Sequence, residues 1–150
     1  MIYLKRTNSE DMHFQELVRK LDLELSVLDK EDHSFYDQFN KVSGIRYAVV
    51  AYEQNIPVGC GAIKEYSADT FEIKRMFVPL HKRGQGIASL VLRELENWSR
   101  ELNYKRVVLE TGKRQPKAIA LYKKHHFKII PNYGQYENIE NSVCFEKLLI

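Results

Sequence analysis

The chain has 150 residues, 44% hydrophobic, 11% aromatic and 29% charged, with seven Gly and four Pro; this is enough apolar material for one core and excludes a disordered or low-complexity protein. Twenty-three Lys and Arg against 20 Asp and Glu leave a formal charge of +3, too weak an excess to argue for nucleic acid but compatible with a basic patch around a small anion. Two cysteines, Cys60 and Cys144, make no disulfide framework, Met1 to Thr7 does not read as a secretory signal, and no stretch approaches the ~20 apolar residues of a membrane span. The expectation is one domain over residues 1–150, cytoplasmic, with reduced thiols and neither a membrane nor a nucleic-acid partner.

Ile2 to Arg6 alternates apolar and polar residues, a short first strand. Ser9-Glu-Asp offers a helix cap with acids in the first turn. Phe14, Leu17, Val18, Leu21, Leu25 and Leu28 then recur at helical spacing. Lys30 to Ser34 interrupts the stripe, and Phe35, Tyr36 and Phe39 suggest a short second helix or an aromatic loop. Tyr47 to Tyr52, a turn at Gln54-Asn55 and Ile56 to Ile63 read as a hairpin. Gly59 and Gly61 would thin or bulge its second strand, and Pro57 must sit where no ladder donor is needed. Phe71 to Val78 forms a further strand, stopped by Pro79.

The pattern then changes. After Leu80-His-Lys-Arg-Gly-Gln-Gly, an amphipathic helix carries Ile87, Leu90, Val91, Leu95, Trp98 and Leu102. Arg106 to Glu110 reads as a buried parallel strand, and Gln115 to Lys124 as a helix. Phe127 to Ile130 and Val143 to Leu149 supply the last strands, separated by a loop rich in Tyr and Asn. Antiparallel hairpins followed by strand-helix-strand-helix predict a mixed α/β sheet with helices on both faces.

The turn between Val78 and Ile87 is the most informative stretch. A helix start presents free N–H groups and partial positive charge, so it holds phosphate oxygens. Gly84 and Gly86 let the backbone approach them, and Lys82 and Arg83 add charge at the same mouth. A diphosphate ligand fits, although a tight strand-to-helix connection would need the same glycines. A Walker loop is excluded, because Ile87 and Ala88 follow Gly86. A dinucleotide fingerprint would use Gly84, Gly86 and Ser89 with Glu110 as the ribose acid, but it normally requires several parallel strands.

Arg83-Gly-Gln-Gly-Ile-Ala88, preceded by the strand Glu72-Ile-Lys-Arg-Met-Phe-Val78, resembles the signature of the GNAT superfamily of N-acetyltransferases. Ala118-Ile-Ala-Leu-Tyr122 is similar to that superfamily's second conserved helix, with His126 where Gly is usual before Phe127. The resemblance implies a twisted, mainly antiparallel mixed sheet of about six or seven strands with helices on both faces. It implies acetyl-CoA as cosubstrate, its pyrophosphate on backbone amides of Arg83, Gly84, Gln85, Gly86, Ile87, Ala88 and Ser89. Its pantetheine arm would pair with Met76, Phe77 and Val78, with Gln115 touching the cofactor. The activity implied is direct attack of a primary amine on the thioester, with no metal. Dimers are common in the superfamily, so a homodimer stays open. A CoA-binding module without catalysis, or a nicotinamide-dinucleotide protein using the glycine turn, are the alternatives.

Direct attack needs a neutral amine, a donor for the charge that develops on oxygen and a proton for the departing thiolate, but no covalent enzyme intermediate. Tyr122 is the candidate acid, or else a core tyrosine. Glu72 is the candidate base or ammonium anchor, or else a solvated strand acid. The oxygen's donor would be a backbone N–H near Phe77 or Val78. His125 and His126 read as a pair complementing a helix dipole. Lys113, Arg114, Lys117, Lys123 and Lys124 form either a solvated face or a patch for the ribose phosphate. Cys144 reads as a buried strand residue. The acceptor would be lined by Leu25 to Phe39, with Asp29, Glu31, Asp32 and Tyr36, and by the loop holding Tyr133 and Tyr136. The acids suit a cationic amine.

Overall fold

A computed structural model describes residues 1–28 and 44–150. The elements in chain order are β1 (Ile2–Thr7), α1 (Met12–Leu28), β2 (Tyr47–Glu53), β3 (Ile56–Ser67), β4 (Thr70–Phe77), α2 (Ile87–Glu101), β5 (Arg106–Gly112), α3 (Pro116–Lys124), β6 (Lys128–Ile130) and β7 (Ser142–Leu148). Single 3-10 turns lie at Leu80–Lys82 and Gly134–Tyr136. The strands form one sheet in the order β1-β2-β3-β4-β5-β7-β6. Every neighbouring pair is antiparallel except β4 with β5. The mixed, mainly antiparallel sheet is the one expected. Phe35, Tyr36 and Phe39, expected in a second helix or loop, lie outside the described residues.

Strand alternation feeds two cores. Phe14, Leu17, Val18 and Leu21 of α1 pack on Ala48, Val50, Cys60 and Ala62. On the other face, Val49, Ile63, Phe71 and Ile73 meet Ile87, Val91, Leu92 and Leu95 of α2, with Tyr122 of α3 in the same cluster. The glycines of β3 make room for α2. A Cβ on Gly59 would stand 2.8 Å from Ile87 Cγ2, and one on Gly61 would stand 2.9 Å from both Leu95 Cδ1 and Val91 Cγ1. Against β2, β3 carries an extra residue beside Gly59, as expected: Ala51 pairs with Gly59 but Tyr52 with Pro57. Opposite Gly61 the extra residue lies on β4 instead, where Cys60 pairs with Phe77 but Ala62 with Lys74, and Arg75 takes a left-handed φ of 59°.

Two helix ends differ from expectation. The cap of α1 is Asp11, not Ser9: its Oδ1 accepts the Phe14 N–H at 2.9 Å, and the first turn holds no acid. α3 closes in a Schellman turn, with the Phe127 N–H on the Tyr122 carbonyl at 3.0 Å and the His126 N–H on the Lys123 carbonyl at 3.1 Å. His126, at φ 69°, occupies the left-handed position where Gly is usual, so the turn keeps its form without glycine. Among the described residues, no helix is long and apolar enough to cross a membrane.

Candidate functional site

β4 is paired to β3 from Thr70 to Phe77, but to β5 only over Thr70, Phe71 and Glu72, opposite Arg106, Val107 and Val108. Beyond Glu72 the two parallel strands part, and β5 continues with β7 as far as Gly112 opposite Ser142. The edge of β4 from Ile73 to Phe77 therefore faces β5 without a ladder. The wedge opens into a cavity of about 750 Å³ that runs from Leu21 and Leu25 of α1, along β4, to the glycine turn and α3.

At the turn, Gly84 and Gly86 hold φ of 78° and 81°, and a Cβ on either would meet nothing within 4 Å. Conformation, not crowding, requires glycine there. The first bond inside α2 runs from the Leu90 N–H to the Gly86 carbonyl at 3.1 Å, and no side chain caps the helix. The amides of its first turn thus have no acceptor within the helix and carry the positive end of its dipole.

The cations expected to reinforce this mouth are committed elsewhere. Arg83 donates Nε to the Val78 carbonyl at 2.7 Å and Nη2 to both Glu24 oxygens at 2.8 and 2.9 Å, while Lys82 donates to Glu53 Oε1 at 2.6 Å. They brace the turn against α1 and β2. Of the basic cluster, Arg114, Lys117 and Lys124 line the cavity, whereas Lys113 pairs with Glu140 at 3.7 Å. Met76, Phe77, Val78, Arg83, Gly84, Gly86, Ile87, Ala88, Ser89 and Gln115 all line the cavity; Gln85, exposed, does not.

His125 corrects a further expectation. Its Nε2 lies 2.8 Å from Ser89 Oγ, joining the end of α3 to the start of α2. Burial lowers its pKa and favours the neutral ring. It ties two helices together; it does not offset a dipole.

Tyr122 is a core tyrosine that also lines the cavity. Its ring packs on Phe127 and Phe145, it is 6% exposed, and it lines the cavity. Its hydroxyl makes no hydrogen bond to another described residue. Burial, then the nearby Glu110 carboxylate, push the phenol's pKa up, so it holds its proton at neutral pH.

Glu72 and Lys74 point to the face opposite Phe71 and Ile73, over the parting of the strands. Glu72 is 7% exposed, not a solvated acid. Its Oε2 accepts the Tyr133 hydroxyl at 2.5 Å, and its Oε1 lies 3.8 Å from Lys74 Nζ. Lys74 also donates to the Tyr136 hydroxyl at 3.4 Å. Across the wedge, Glu110 accepts from Ser142 Oγ at 2.7 Å. Tyr133 and Tyr136 were expected near an acceptor. Lys74 was missed, although two charges at period two inside an apolar strand were a visible signal. Asp29, Glu31, Asp32 and Tyr36 lie outside the described residues.

One parallel contact of three residue pairs does not make the several-stranded parallel sheet of a dinucleotide fold. Cys60 and Cys144 are free and buried, and burial pushes their thiols up to about 12 and about 11. Among the described residues, no three His, Cys, Asp or Glu gather as a metal site.

Residues 14–127 match the model of the acetyltransferase (GNAT) family. The chain is 36% identical over 102 residues to an IAA acetyltransferase of Azospirillum brasilense, spanning 67% of each protein. With N-acetyltransferase 8 of Homo sapiens it shares 34% over 80 residues, 53% of this chain and 34% of the human one. Among solved structures, an acyl-CoA N-acyltransferase assignment from Klebsiella pneumoniae superposes with a TM-score of 0.83 at 26% identity, over 100% of this chain and 99% of that one. PaiA N-acetyltransferase of Thermoplasma acidophilum, in complex with coenzyme A, has a TM-score of 0.73 at 16% identity over 99% of each chain, a likeness of fold.

Proposed function

The chain belongs to the GNAT family of acetyltransferases, and from that premise we propose that it transfers the acetyl group of acetyl-CoA directly to a primary amine. The observation that carries this reading is the parting of β4 and β5 beyond Glu72, which joins an unladdered strand edge to an uncapped helix start within one cavity. An extended acyl-pantetheine arm needs the first and a diphosphate needs the second. Open space over Gly84 and Gly86 is consistent with phosphate oxygens there. Lys117 and Lys124 would meet the ribose phosphate.

Bound acetyl-CoA supplies a thioester carbonyl open to attack. Backbone amides near Phe77 and Val78 stabilise the charge that gathers on its oxygen. Glu72 draws the acceptor's ammonium to the wedge and receives the first of the two protons it must lose, leaving a neutral amine whose nitrogen bonds to the carbonyl carbon. As the carbon–sulfur bond breaks, Tyr122 hands its proton to the thiolate, a role suited to a phenol with no other hydrogen-bond partner among the described residues; the nitrogen's second proton passes to solvent, which restores the proton of Tyr122.

Thermal shift and thiol release test the assignment. Acetyl-CoA is expected to raise the melting temperature and NAD to leave it unchanged, while an amine panel releases CoA. Tyr122→Phe is expected to lower kcat about tenfold to a thousandfold with acetyl-CoA binding retained. Stabilisation by NAD alone, or a panel that releases no thiol, overturns the proposal; an unchanged kcat removes the acid role of Tyr122.

A further inference from the structure

We infer that the acceptor is a small amine that also bears a carboxylate, and that Lys74 is the residue that recognises the carboxylate. The inference rests on the proposed acetyl transfer and narrows its substrate class. Lys74 lines the cavity with a side chain 9% exposed. An ammonium carries three donors, and among the described residues this one makes a single long hydrogen bond, 3.4 Å to Tyr136, with Glu72 at 3.8 Å, beyond hydrogen-bond reach. Burial leads the effects that lower its pKa, against the pull of Glu72 and Glu110. A buried cation so loosely matched is costly unless something else completes its shell.

Charge balance with Glu72 alone does not explain it. Where Lys147 meets the buried Glu96, whose side chain is 2% exposed, the pair closes to 2.7 Å. The near oxygen of Glu72 stops 3.8 Å from Lys74, while the other accepts the Tyr133 hydroxyl. An ammonium beside the amine site also works against a plain amine or a polyamine, which it repels. Glu72, Lys74 and Glu110 together present negative, positive and negative charge around one opening. A zwitterion matches that order, its ammonium on an acid and its carboxylate on Lys74. Lys74 lies only two residues before Met76, across the bulge at Arg75, so both groups belong to a compact molecule.

The test compares alanine, β-alanine and γ-aminobutyrate with their methyl esters and with putrescine as acceptors. The enzyme is used intact and as Lys74→Met and Lys74→Arg, with folding checked by circular dichroism and acetyl-CoA affinity measured for each. At least one free amino acid is expected to exceed its ester in kcat/KM by about tenfold or more. Lys74→Met should lose at least about tenfold more on that amino acid than on its ester, and Lys74→Arg should restore part of the difference. Esters or putrescine turned over as fast as the amino acids, or a Lys74→Met loss equal on both, overturns the inference and leaves acetyl transfer standing. Release of thiol with none of these amines nor with any other primary amine, while acetyl-CoA still binds, overturns both.

Discussion

At the start of α1, Asp11 Oδ1 accepts the Phe14 N–H, and its other oxygen is held by Lys5 at 3.2 Å and Thr7 at 3.1 Å. At the start of α2, Gly86 brings no side chain, and the nearest cations, Lys82 and Arg83, are turned away to Glu53 and Glu24. One helix satisfies its own first turn; the other leaves its amides exposed to whatever lies in the wedge. α2 dispenses with the stabilisation of a side-chain cap, about 1 kcal/mol. Its apolar face sits on two glycines of β3 at distances no Cβ would allow. The contrast separates an end closed by its own side chains from an end left open toward the cavity, and neither can be told from propensity alone.

Gly86→Asp attacks the contrast most directly. Asp tolerates the left-handed conformation better than most residues and places a carboxylate where a diphosphate would sit. Acetyl-CoA affinity is expected to fall about a hundredfold, with Gly86→Asn falling less because it carries no charge. Calorimetric titration reads both. An Asp variant that binds as tightly as the original chain would remove the diphosphate from this helix start. Asp11→Ala is the mirror experiment: about 1–2 kcal/mol of stability is lost by urea titration, with acetyl-CoA affinity unchanged. A loss of cofactor affinity there would mean that the two ends are coupled through the sheet.

Much of this contrast was legible in the sequence. The two glycines, the helix after them and the strand before them are local, so the form of the turn could be read directly. What could not be read is where long side chains go. Arg83 and Lys82 look like phosphate ligands beside a glycine turn, and only the fold brings Glu24 and Glu53 within reach of them. His125 looks like a helix-end charge until α2 places Ser89 against it. Gly59 and Gly61 look like strand defects until α2 lies across them. Lys74 was hidden for the opposite reason: a lysine in a strand is ordinarily solvated, and its burial depends on Tyr133, Tyr136 and β5, all distant in sequence. Local backbone chemistry survives in one dimension; pairing of charges does not.

The end of α3 sharpens the contrast with a third kind of terminus, one where geometry is fixed and the residue is free to vary. The bonds from Phe127 to Tyr122 and from His126 to Lys123 hold the turn that carries Tyr122, and they use backbone only. The side chain of His126 is exposed at φ 69°, so the cost of the left-handed conformation, about 1 kcal/mol, is set against glycine's larger loss of backbone freedom on folding. His126→Gly is therefore expected to stabilise the fold modestly, by less than about 1 kcal/mol, seen as a higher urea midpoint at constant slope. Because the same two bonds remain, kcat and acetyl-CoA affinity should not move. A destabilised variant would show that the His126 side chain contributes contacts outweighing the strain, and a changed kcat would show that Tyr122 is positioned by more than the turn beneath it.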